Sequence, residues 1–151
     1  MKNILITSLI LVISISNLFS QSVDLSSTTV KHNKKQRDAI LAEIEPAKKT
    51  VKKAWKNYLK DNYDLKLKGF GLLTNKDVLY AEDVKLNTLS DKRINFYTKF
   101  EETENTTKMI VFASFGYDIY FSSRGYSSEF SKMRECKSIY RLEMCHLLLI
   151  I

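Results

Sequence analysis

The chain has 151 residues and a formal net charge of +7, with 27% charged and 44% hydrophobic residues. That length holds one domain with an adequate apolar core, and two cysteines exclude a disulfide-stapled scaffold. The basic balance points toward anionic partners in general, so its distribution along the chain matters more than its total.

The first residues, MKNILITSLILVISISNLFSQ, place Lys2 before an apolar run from Ile4 to Ile15 and a small polar end. This order predicts a secretory signal peptide over residues 1–20, cut after Ser20, with Ser14-Ile15-Ser16 as a second candidate site. The bland alternative is a retained N-terminal anchor. The apolar run is short for a membrane span. The expectation is therefore an exported protein, periplasmic or secreted, without a transmembrane span in the mature chain. Without residues 1–20 the balance is 23 basic against 17 acidic residues, or +6.

Residues 21–33 (QSVDLSSTTVKHN) are polar and aperiodic and read as a flexible lead-in, with His32 alone and exposed in it. A single α+β domain is expected over 34–122. Lys34 to Asn62 carries Ile40, Ile44, Ala47, Val51, Trp55, Tyr58 and Leu59 at steps of three and four, the spacing of an amphipathic helix. Pro46 lacks the N–H a helix interior needs, so a break near Glu45 and a main helix from about Ala47 to about Asp61 are predicted. Residues 31–60 contain ten Lys/Arg and three Asp/Glu, which concentrates the positive charge here.

From Asp64 the period changes to two. DLKLKGFGLL, EDVKLNTL, RINFYTKFEE and KMIVFASFGYDIYF read as strands separated by the turns TNKD, LSDK and TENTT. The expected architecture is α+β: an N-terminal amphipathic helix packed on an antiparallel sheet of about four meandering strands. Residues 123–151 form a C-terminal tail, with SSEFSKMRE able to begin a helix. The end, MCHLLLII, has three readings: docking on the uncovered sheet face, anchoring to a partner, or a shift of reading frame near Cys136.

No motif names a chemistry. Cys136, Cys145 and His146 stand in a C-x8-C-H spacing that suits zinc poorly. A Cys136–Cys145 disulfide is chemically permitted in a loop, but on a continuous helix about 13 Å would separate the two, at roughly 1.5 Å per residue. The chain has no G-x-S-x-G and no phosphate-binding glycine loop. No catalytic residue, metal site or cofactor is assigned. Carboxylates such as Glu82, Asp83, Asp91, Glu101, Glu102, Glu104 and Asp118 fall at strand ends and turns; a small secreted hydrolase using them is the rival reading. Lys48, Lys49, Lys52, Lys53, Lys56 and Lys60 make a lysine face suited to an anionic partner, or simply a solvated one. Nucleic acid is not expected, because arginine is scarce in that face and export removes the target. Tyr117, Tyr120 and Phe121 are candidates for an aromatic groove, against the alternative that they belong to the core.

The stretch KGFGLLTNKDVLYAEDVKLNTLSDKRINFYTKF…MIVFASFGYDIYF resembles a family of small exported, uncharacterised proteins of Gram-negative bacteria, over roughly Val51 to Phe121. The resemblance implies an envelope location and transfers no catalytic motif. The functional expectation is a non-enzymatic binding module of the cell envelope, contacting an envelope protein or an anionic envelope surface. A truncated product without independent function is the remaining alternative.

Overall fold

The computed structural model describes residues 24–45, 47–69, 78–104 and 106–135. Chain order is β1 (Asp24–His32), β2 (Lys35–Ile44), α1 (Lys48–Tyr63), β3 (Val78–Lys85), β4 (Arg93–Glu102), β5 (Thr107–Ser114) and α2 (Ser127–Glu135). The strands form one antiparallel sheet in the order β1-β2-β5-β4-β3. The domain is therefore α+β with an antiparallel sheet. Among the described residues the expected four-strand meander is corrected to five strands, and a hairpin, not a helix, comes first.

That hairpin overturns two expectations. Asp24–His32 is a strand where a flexible lead-in was expected, and Lys35–Ile44 is a strand where a first helix was expected. Asn33 and Lys34 join them as a two-residue loop, both at positive φ (49° and 65°), which matches the twist of the flanking strands. β2 lies inside the sheet, so Ala39 as well as Ile40, Ala42 and Ile44 are buried. Apolar Ala39 and Leu41 on the second face blur the alternation that would have marked a strand, and the four-residue step from Ile40 to Ile44 imitates a helix.

α1 begins just after Pro46, near the expected break. Its stripe of Val51, Ala54, Trp55, Tyr58 and Leu59 is buried against the sheet. Each large member contributes about 1.5–3 kcal/mol by burial, against at most a few tenths for each four-apart lysine pair on the outer side. Packing therefore decides the helix, which has no side-chain N-cap. Trp55 Nε1 donates to Thr98 Oγ1 at 2.9 Å, and both residues are fully buried. The helix ends at Asp64 in the left-handed conformation, and the Leu65 N–H returns to the Leu59 carbonyl at 3.0 Å.

Beyond α1 the expected DLKLK strand reduces to one bridge, Lys68 with Tyr80, although Leu65 and Leu67 are buried at alternate positions as that reading required. Residues 70–77 lie outside the described set. β3 starts earlier than expected, at Val78, and its register with β4 shifts between Ala81 and Val84. β4 follows the expected alternation, with Ile94, Phe96, Thr98 and Phe100 buried on one face. β5 stops at Ser114, short of Gly116; a tight turn then returns the chain so that Tyr120 bridges Ser114. Phe130 and Met133 seat α2 on the core that α1 also covers. Residues 1–23 and 136–151 are outside the described residues, and with them the signal peptide, Cys136, Cys145 and His146.

Candidate functional site on the open sheet face

α1 and α2 pack on one face of the sheet, and a second, smaller cluster forms on the other: Val30, Ala39, Ile110 and Phe112, with Leu41, Tyr97 and Tyr120 against them. Strand register explains the gathering. Tyr97 stands opposite Phe112 across β4 and β5, and His32 ends the neighbouring hairpin. The Tyr97 and Phe112 rings stack at 4.9 Å with 9° between planes. His32 lies 4.9 Å from Tyr97, 5.0 Å from Phe112 and 6.0 Å from Tyr120. The expectation of a lone, exposed His32 is therefore corrected: it is half-buried among three rings. Burial, and then the charge of Arg37, hold its imidazole below the ordinary value of 6.5.

Arg37 caps the cluster. Its guanidinium carbon lies 4.1 Å from the Tyr120 ring centre, a cation–π contact. It also donates to Asp118, as does Lys35 Nζ at 2.6 Å. These cations hold the Asp118 carboxyl below the usual range, the Lys35 hydrogen bond first among the causes. Tyr120 is shifted upward, chiefly by burial.

Asp118 belongs to the turn 116–119, closed by the Ile119 N–H to the Gly116 carbonyl at 2.9 Å. Tyr117 and Asp118 both sit in the left-handed region, at φ 48° and 67°. For a bulky residue such as Tyr117 this conformation is strained, and strained loops persist where neighbours hold them. Here Lys35 and Arg37 do so. At the tip Tyr117 is 100% exposed and Ile119 40%, the exposed large hydrophobics among the described residues.

Of the residues singled out in the sequence, the fold brings Tyr117 and Tyr120 to this face and removes Phe121. Phe121 is fully buried in the main core, since neighbours on an extended segment point to opposite sides. Lys49, Lys53, Lys56 and Lys60 are exposed on α1, and Lys48 and Lys52 are half-buried there. The sheet separates them from the aromatic face. Glu82, Asp83, Glu101 and Asp118 each pair with a lysine or arginine. No group of three metal-ligating side chains occurs among the described residues, and no described helix is long and apolar enough to cross a membrane. His32 and Arg37 are functional candidates the sequence reading missed; the Asn33-Lys34 turn between two strand-compatible runs was the signal that unites them with Tyr120.

No protein-family model matches the chain, and neither the curated proteins nor the solved structures contain a match to it.

Proposed function

We propose that the chain is a non-enzymatic, exported binding module of the bacterial cell envelope, and that the open aromatic face is its contact with an envelope protein. The export half of this reading rests on the N-terminal pattern and the family resemblance. The contact half rests on one observation: a fully exposed Tyr117, in a strained conformation pinned through Asp118 to Lys35 and Arg37. Exposed aromatic anchors on preorganised loops are the side chains that dominate protein interfaces. The lysines of α1 form a second, electrostatic contact on the far side.

The test is site-specific photocrosslinking in the native host. A photoreactive phenylalanine analogue replaces Tyr117 in one strain and exposed Lys66 in another. A discrete adduct from position 117, absent from position 66 and lost on adding Ile119→Ser, is expected. Equal adducts from both positions, or none from position 117, would overturn the assignment.

A further inference from the structure

The two edges of the sheet are treated differently. The β3 edge is closed: Lys68 and Tyr80 exchange both backbone hydrogen bonds, at 2.7 and 3.1 Å. The register shift between Ala81 and Val84 bends it further, with Asp83 at φ 53°. Both are devices that stop a sheet from recruiting another strand. β1 has neither. Its nine residues pair with β2 without a shift, from Asp24 opposite Glu43 to His32 opposite Lys35. No described segment pairs with its outer side. Alternate residues of such a strand turn their N–H and C=O outward.

α2 stands beside this edge. Phe130 and Met133 fix it to the core, and the Ser123 N–H and hydroxyl both donate to Asp38 Oδ2 at 2.9 Å, holding the approach to the helix against β2. Between strand and helix runs a cleft of about 550 Å³, within the range of ligand-binding clefts. Ser27, Thr28 and Thr29 line one side; Ser127, Ser131 and Arg134, one stripe of the helix, line the other. A sheet edge facing a helix is the geometry in which an extended peptide gains main-chain hydrogen bonds on one side and side-chain contacts on the other.

We propose that β1 and α2 form a groove that receives an extended peptide segment of another protein as a sixth strand, with a carboxylate of that segment paired to Arg134. Charge selects this occupant. Arg134 is exposed and makes no ion pair among the described residues, and Lys31 and Lys34 at the far end of β1 are exposed cations. Asp38, the acidic lining group, keeps its charge, but Ser123 holds its Oδ2 on the β2 wall, so Arg134 on the helix wall is the cation that a carboxylate of the segment meets. The short hydroxyl side chains leave room and accept small or β-branched neighbours. This inference is independent of the aromatic face, since Ser27 and Thr29 align with Ile40 and Asp38 of β2, on the helix-covered side.

The experiment pans a displayed library of random octapeptides on the full chain, then measures binding of the enriched peptides by fluorescence anisotropy. Enriched peptides are expected to share an acidic residue and alternate β-branched positions. Arg134→Glu should weaken them roughly tenfold or more, the loss of a charge-assisted hydrogen bond. N-methylation of alternate peptide amides should remove binding in one phase and spare it in the other. Failure to enrich, or peptides indifferent to both changes, would overturn the proposal. So would protection from hydrogen exchange, without peptide and in a monomer, of the outward-facing β1 amides that do not bond β2, meaning that the chain fills its own groove. Dimerisation in step with that protection would assign the edge to a second copy and equally overturn it.

Discussion

Replacing Thr98 by Val tests how α1 is seated. The two side chains have the same shape, and Thr98 and Trp55 are both fully buried, so the change removes one hydroxyl without leaving a cavity. It strands the Trp55 Nε1–H, which donates to Thr98 Oγ1 at 2.9 Å. An unsatisfied buried donor costs about 1–3 kcal/mol. For a domain of this size that is a fall in Tm of about 4–12 °C, at about 4 °C per kcal/mol. Trp55→Phe removes the donor and also volume, at about 2–4 kcal/mol. The double variant should lose less than the sum by about 1–2 kcal/mol, because its partners leave together. Urea unfolding followed by circular dichroism measures all three variants; Trp55 is the single tryptophan, so fluorescence serves only those that keep it. A Thr98→Val protein within about 0.5 kcal/mol of the parent, or strictly additive losses, would refute the hydrogen bond and the helix register with it.

Gly69→Ala should destabilise more than Gly116→Ala. Both positions have positive φ, costing about 1–3 kcal/mol for a side chain, but a Cβ at Gly69 also meets the Val78 carbonyl oxygen at 2.5 Å, whereas at Gly116 the nearest atom is at 3.9 Å; thermal melts rank them, and the reverse order would contradict the closed β3 edge. Stability should fall as pH drops below 6.5, because the unfolded chain binds a proton on His32 there while the folded chain, with its imidazole value lowered, resists until lower pH. His32→Phe should flatten that part of the profile, read from urea midpoints at pH 7.5 and 5.5, and an unchanged slope would remove His32 as its source. Converting Lys48, Lys52 and Lys56 to Gln should abolish any salt-sensitive binding to anionic lipid vesicles; binding unchanged by the triple variant would sink the lysine face as a contact.

β4 and α1 were legible because each buries one face: RINFYTKFEE alternates, and the Val51–Trp55–Tyr58–Leu59 stripe has helical spacing. β1 and β2 were not. β2 places apolar Ala39 and Leu41 on the open face beside Ile40 and Ala42 on the covered one, so it reads as an apolar run, and its lysine-rich surroundings favour helix in isolation. β1 is a polar edge strand whose Thr28, Thr29 and Val30 were its only β-branched hint. The aromatic site was half legible. Clustering named Tyr117 and Tyr120, but Phe121 points to the opposite side because it follows Tyr120 on an extended segment. His32 and Arg37 come from a hairpin about 80 residues away, and only pairing of β2 with β5 brings them to Tyr120.

If the open face is the contact proposed above, Asp118 should matter more to contact than to stability. Phe112 is only 1% exposed on a sheet face that no described helix covers. His32, Tyr97 and Tyr120 shield it with their rings, and Arg37 lies over the last of them. The face therefore protects its own apolar centre and needs no partner to stay folded. Tyr117 takes no part in that shielding. Its presentation depends on a turn in the left-handed region that Lys35 and Arg37 hold through Asp118. Asp118→Asn keeps the shape and removes the charge. Ion pairs of an exposed carboxylate contribute little to stability, so the urea midpoint should barely move. Amides of 115–119 should exchange faster, and the adduct formed from position 117 should diminish, because a loosened loop loses preorganisation before it loses contacts. If the midpoint falls steeply instead, Asp118 is a structural clamp of the sheet. The strained turn would then be a by-product of that clamp, and the case for Tyr117 as a contact would fail.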